Sequence, residues 1–221
     1  MARIDNVRED IRRWGVIKAL YVRVMWRLQK YLGFRLFVVH SRVLNADVPD
    51  DDIPEGSSVR MLAEDELTEF SRDPSLGLSA SFLAGARARG DVCFGYLERG
   101  SLVSYEWIGT KPTPAEAGLW VRFGDGYSYS YKAFTVPAHR GRRLQQRLVH
   151  RSEHWRISQG SRYNIGYIDT RNLASIAADR RYGNRPVGYA GYLNWFGRVV
   201  PFRTPGAKAC GFGFFERRPI S

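Results

Sequence analysis

Apolar positions along this chain recur at two different periods. Ile4, Val7, Ile11, Trp14, Tyr21, Met25, Leu28 and Leu32 fall mostly three or four apart and predict one amphipathic helix over 3–32, stopped at Gly33. Residues 34–44 read as a short strand. The stretch 45–58 holds two prolines, a glycine and clustered aspartates, the composition of a linker. Further on, Tyr127, Tyr129, Tyr131, Ala133 and Thr135 alternate with Ser128, Ser130, Lys132, Phe134 and Val136. That two-residue period predicts a strand, which Pro137 ends because it has no N–H to give a ladder. From Arg142 the period lengthens, and Leu144, Leu148, Arg151, Trp155 and Ser158 predict a helix.

Around this pair the same reading gives strands at 59–62, 92–98, 102–108, 119–123, 163–169, 187–196 and 209–215. Helices are expected at 64–72, 79–89 and 173–182, the last capped by Asn172 and stopped at Gly183. An Arg99-Gly100 turn joins two strands into a hairpin, and 109–118 is a loop. Antiparallel strands leading into one strand-helix-strand-helix unit imply an α/β chain, a mixed α+β sheet with helices on both faces. The expected organisation is 1–44 as the amphipathic helix with its short strand, 45–58 as an acidic linker, and 59–217 as the α/β domain.

The turn between the aromatic strand and its helix carries the first chemistry. It reads His139-Arg140-Gly141-Arg142-Arg143, with Arg147 one turn on. A helix start exposes unpaired N–H groups at the positive end of its dipole, and arginines there oppose that dipole unless an anion is present. The pattern points to a phosphate or pyrophosphate site; a solvated basic turn is the alternative.

Charge widens the list of partners. The formal net charge is +12 with a sequence pI near 10.0, which suits nucleic acid, an anionic membrane, an acidic partner or an anionic cofactor. Residues 1–42 hold ten Lys or Arg against three acids, so a helix over 3–32 with Trp14 and Trp26 could lie on an anionic membrane; packing on the domain or on a second copy is the other reading. Cys93 and Cys210 sit in apolar runs and read as buried thiols. Four scattered histidines and no CxxC motif give no reason to expect a metal. No signal peptide and no spanning helix are evident, so a cytoplasmic protein is expected, with the inner membrane face as a place of attachment.

Residues 59–217 resemble the GNAT superfamily of acyl-CoA N-acyltransferases. The likeness lies in the order of elements, in Val136-Pro137-Ala138-His139-Arg140-Gly141, and in Asn172-Leu173-Ala174-Ser175 followed by Tyr182-Gly183. Two family glycines fall on Arg143 and Gln145, Asn184 replaces a phenylalanine, and Asp179 stands where many members carry a tyrosine acid. The resemblance implies a GNAT-like fold and transfer of an acyl group from acetyl-CoA or another acyl-CoA to a small-molecule amine, such as an amino sugar. It implies no metal and no nucleic-acid partner. A carrier-protein donor, or a non-catalytic relative on a membrane, are the alternatives.

The resemblance also implies roles. Phe134, Thr135 and Val136 would run beside the pantetheine. Arg140, Gly141, Arg142, Arg143, Leu144, Gln145 and Gln146 would hold the pyrophosphate, and Asn172 and Ser175 would contact the pantetheine or adenosine side. Glu106 and Asp169 are candidate bases. Tyr127, Tyr129 and Tyr131 would line the acceptor cleft, or else pack as core. Asp179 is expected to be ionised beside Arg180, Arg181 or Arg185, and so to take no part. The aromatic run 189–197 is a stacking platform or, alternatively, a packed strand end.

Overall fold

The computed structural model describes residues 7–47 and 53–217. Gly15, at φ 85°, breaks the expected single helix into α1 (Val7–Trp14) and α2 (Val16–Leu32). Gly33 ends α2 in the left-handed region, donating its N–H to Gln29, and a Cβ there would come within 2.8 Å of Asn194. The chain then forms β1 (Phe34–Val43), β2 (Ser57–Met61), α3 (Glu64–Phe70), α4 (Ala80–Arg89), β3 (Val92–Glu98) and β4 (Ser101–Gly109). After a two-residue β5 (Thr113–Pro114) come β6 (Leu119–Arg122), β7 (Tyr127–Thr135), α5 (Leu144–Ser158), β8 (Tyr163–Asp169) and α6 (Leu173–Arg181). The last elements are β9 (Arg185–Trp195), β10 (Arg198–Arg203), α7 (Pro205–Ala209) and β11 (Gly213–Glu216).

Eight strands form one mixed sheet in the order β10-β9-β1-β8-β7-β4-β3-β2, and only β7 and β8 pair in parallel. This corrects the expected organisation. β1 lies between β9 and β8, with Val38 opposite both Ile168 and Tyr189, so residues 34–43 belong to the sheet and not to an N-terminal appendage. Its buried Phe37 and Val39 supply the apolar contacts that draw it there. The segment 209–215, expected as a strand of the same sheet, divides into the end of α7 and β11. β11 joins β6 and β5 in a separate three-stranded sheet.

The two faces of the large sheet are covered differently. The small sheet packs Leu119, Val121 and Phe214 onto Phe37, Tyr129 and Ile165. On the same face, α3 and α4 cover Cys93, Leu102, Tyr105 and Trp107. Tyr131 touches both clusters and marks the seam between them. The other face is covered by α5, whose Leu144 and Leu148 pack on Phe94, Tyr96 and Ile108. Cys93 is buried as expected, whereas Cys210 is only half-buried; both are free thiols.

Candidate active site

The site begins where β7 and β8 stop pairing. Their parallel ladder holds only Tyr127 with Tyr163, Ser128 with Asn164, and Tyr129 with Ile165, although β7 runs on to Thr135 and β8 to Asp169. A bulge accompanies the separation. Trp107 faces Tyr131 and Tyr105 faces Phe134, so Glu106 alone opposes both Lys132 and Ala133. Lys132 adopts φ 45°, strained for a residue with a side chain. Lys132 and Ala133 are exposed despite lying on a central strand, because β8 has moved away from them.

On one side of this gap lies a cleft of about 700 Å³. Phe82 and Arg89 on α4 form one wall, and Thr113 to Glu116 form the other. Tyr129, Tyr131 and Tyr167 line it from the sheet. The Tyr129 ring stacks on Tyr131 at 5.4 Å and on Tyr167 at 6.2 Å. Tyr131 donates to Asp91 Oδ2 at 2.7 Å, which fixes its ring. Tyr127 stands apart from the cleft, stacked on Tyr163 at 5.0 Å. Lys132 Nζ lies 4.4 Å from the centre of the Phe82 ring, and partial desolvation of the amine lowers its pKa although the residue as a whole is exposed.

Glu116 has no counterpart in the sequence reading, which saw only an aperiodic loop at 109–118. It lines the cleft, and burial raises its carboxyl above the ordinary range against the pull of Arg35 at 3.0 Å. Arg35 also holds Asp169 at 3.0 Å. Burial pushes Asp169 upward, but hydrogen bonds and charge from Arg171, with Arg35, bring it below its usual value. Asp169 is therefore a clamped, weakly basic carboxylate.

The opposite side of the gap is a buried polar layer. Arg156 on α5 is fully buried and donates to Ser128 Oγ, Asn164 Oδ1 and Ser130 Oγ at 2.8–3.0 Å. Its Nη2 stands 3.3 Å from Glu106 Oε1. Asp179 on α6 meets Asn184 Nδ2 at 2.7 Å and His40 Nδ1 at 3.2 Å. Burial raises Asp179 to about 7 and lowers His40 to about 4, so at neutral pH the contact joins a neutral imidazole to a partly protonated carboxyl. This overturns the expected ionised Asp179: Arg42 and Arg180 pull its pKa down, but not enough to offset burial and the nearby Glu106 charge.

The basic turn has an internal division of labour. Arg143, at φ 58°, sits at the start of α5, and no side chain caps that helix. Arg142 is held by Glu98 at 2.5 Å and His139 at 2.9 Å, and Arg140 Nε donates to Thr135 O at 3.2 Å. Arg147 reaches Tyr96 Oη at 3.2 Å. The Arg143 guanidinium alone of the four has no hydrogen-bond or ion-pair partner among the described residues. Gly141 has φ 82°, Leu144 is buried in the core under α5, and Gln146 donates its backbone N–H to Arg143 O. Gln145 turns inward, with Nε2 2.8 Å from both Ser104 Oγ and Phe134 O, tying β4 to β7. Thr135 Oγ1 joins that knot at 2.7 Å from Ser104 Oγ, and Val136 N–H donates to Val103 O. Asn172 Oδ1 accepts from Ser175 N–H and caps α6, as its position before the helix predicts.

The sequence matches no family model and none of the curated proteins. The fold does match solved structures. One, from Novosphingobium aromaticivorans and assigned to the GNAT family of acetyltransferases, aligns with a TM-score of 0.52 at 18% identity over 72% of this chain. Another, a GCN5-related N-acetyltransferase from Sphaerobacter thermophilus, aligns with a TM-score of 0.54 at 16% identity over 86% of this chain. The alignments span 63% and 57% of those two proteins. At such identities the likeness is one of architecture, and the architecture of this chain is the GNAT acetyltransferase fold.

Proposed function

We propose that the chain is an N-acyltransferase that takes its acyl group from acetyl-CoA or another acyl-CoA and gives it to a small-molecule amine. The observation that carries this reading is the parting of β7 from β8 beyond Tyr129 and Ile165, beside a bulge at Lys132. Strands that part leave main-chain donors and acceptors without partners, which suits an extended arm bearing amides of its own. Phe134, Thr135 and Val136 follow the bulge and would run along that arm. The uncapped start of α5 and the unpartnered Arg143 fit a diphosphate at the arm's end.

Bound there, acyl-CoA supplies a thioester whose acyl carbon bonds to the amine nitrogen as its carbon–sulfur bond breaks. A backbone N–H of the bulge donates to the carbonyl oxygen. Glu116 receives the proton that the amine loses; its raised pKa makes it a better base than the clamped Asp169, and Glu106 is already engaged by Arg156. Arg35 holds Glu116 in place. Asp179, on the helix side of the gap with a pKa of about 7, keeps a proton near neutral pH for the leaving sulfur. A carboxylate over stacked aromatic rings suits a cationic amine on a ring, such as an amino sugar.

The test is to titrate the purified protein with CoA and then to assay thiol release and product mass with acetyl-CoA and a panel of amines. CoA binding together with an acetylated amine is expected. Absence of CoA binding would overturn the assignment.

A further inference from the structure

We propose that α2 and the β9–β10 hairpin form a surface that docks on an anionic lipid bilayer. Helix α2 is apolar on two opposite sides. Ala19 and Met25 face the protein and are buried. Ile17, Leu20, Val24 and Tyr31 recur at three-, four- and seven-residue steps on the other side, facing solvent. Ile17 is 85% exposed and Tyr31 72%, far more than a side chain packed on its own domain would be.

The patch continues past the end of the helix. Asn194 donates its N–H to Gly33 O at 3.2 Å, so the hairpin tip adjoins the last turn of α2. That tip presents Trp195 at 54% and Phe196 at 90% exposure. Within this aromatic run Tyr192 is packed in the core, while the last two rings point outward.

Charge selects the occupant. Residues 7–32 contain seven Lys or Arg against Glu9 and Asp10, and no acidic residue occurs between Asp179 and Glu216. On α2, Arg23, Arg27 and Lys30 flank one edge of the exposed stripe. An aliphatic stripe edged by Lys and Arg, with Trp and Tyr at its margin, matches the depth profile of a lipid headgroup layer. A second copy of the chain would bring basic edge against basic edge. No helix among the described residues is long and apolar enough to cross a membrane, so the helix would lie on the surface. Its inner side carries Trp26 and Gln29 against Arg171, the residue that clamps Asp169. Docking would therefore set the lipid about one helix diameter, roughly 10 Å, from that pair.

The experiment is co-sedimentation of the full chain with vesicles of equal parts phosphatidylcholine and phosphatidylglycerol, and with phosphatidylcholine alone. Binding to the mixed vesicles, weakened by salt, is expected, with little binding to the neutral ones. Ile17→Glu with Leu20→Glu, at solvent-facing positions, should weaken binding at least about tenfold while circular dichroism and melting stay as in the parent. Phe196→Ser, in the exposed tip, should weaken it by roughly threefold or more and serves if the double variant fails to fold. Failure of the parent to bind, equal binding to neutral vesicles, or full binding by both variants would overturn the proposal. So would a dimer in sedimentation velocity that Ile17→Glu dissociates in a protein without vesicle affinity.

Discussion

The fully buried Arg156 guanidinium stands 3.3 Å from the Glu106 carboxylate, whose other oxygen, Oε2, has no hydrogen-bond partner among the described residues. Removing the cation alone would leave Glu106 charged, dry and unpaired. Arg156→Leu is therefore expected to cost about 3–5 kcal/mol in urea unfolding. Arg156→Leu with Glu106→Leu should recover part of that loss, because no orphaned charge remains. Equal losses in the single and double variants would show that Arg156 matters for its other bonds instead.

Glu116→Gln keeps the shape of the side chain and removes its basicity. Turnover is expected to fall about 10²–10⁴-fold, with CoA affinity and melting temperature little changed. The comparison variant Asp169→Asn should lose less turnover, since Arg171 and Arg35 already hold that carboxylate. A turnover near the parent value in Glu116→Gln would return the base to Glu106 or to water.

Arg143 and Arg142 make a matched pair for the phosphate reading. Arg143→Ala should weaken CoA binding about tenfold, the worth of one charge-assisted contact. Arg142→Ala should change it far less, because Glu98 already occupies that guanidinium. Titration calorimetry at fixed salt distinguishes the two, and equal effects would mean that the Glu98 pair opens on binding.

Asp179 and His40 give stability an unusual pH course. Asp179 is raised from 3.8 to about 7, so the folded state binds more protons than the unfolded one between about pH 4 and 7, and stability falls as pH rises there. His40 is lowered from 6.5 to about 4, so the folded state binds fewer protons over that range, and its contribution rises with pH. The two slopes oppose each other from about pH 4 to 6.5. Asp179→Asn leaves the rising slope alone: relative to the parent, it should gain stability steadily between pH 4 and 7, by a few kcal/mol in all. Urea midpoints across that range would show it, and parallel curves for parent and variant would refute it.

Truncation separates the helix from the sheet. A chain beginning near Glu55 lacks β1 and is expected to be insoluble or to melt without cooperativity. It loses Phe37 and Val39, each worth about 1.5–3 kcal/mol of burial, and bares the edges of β8 and β9. A soluble, cooperative product would mean that β8 and β9 can close the gap unaided.

What the sequence made legible was local. The alternation over 127–135 and the three- and four-residue steps from Leu144 located β7 and α5 to within a residue or two, because each pattern reports a face that a single element buries. Arg143 at a helix start was legible for the same reason. The insertion of β1 was not, since its pairing with residues more than a hundred positions away leaves no periodic trace in residues 34–43. Nor was Glu116 distinguishable from any other loop acid, because its pKa is raised by burial, and by the Asp169 charge against the pull of Arg35, in surroundings that only tertiary folding assembles. Asp179 misled for a related reason: neighbouring arginines in sequence suggested ionisation, while burial outweighed both them and the Asn184 hydrogen bond.

The central place of β1 sets a timetable for synthesis. Val38 leaves the ribosome well before Ile168 and Tyr189, the residues that flank it on either side. At bacterial or eukaryotic elongation speeds the wait is on the order of ten seconds. Throughout it an apolar strand has two unpaired edges, and the nascent chain is a natural client for a holding chaperone. Codon changes that slow translation between residues 44 and 160 should lengthen that exposure and lower the soluble yield without altering a single side chain.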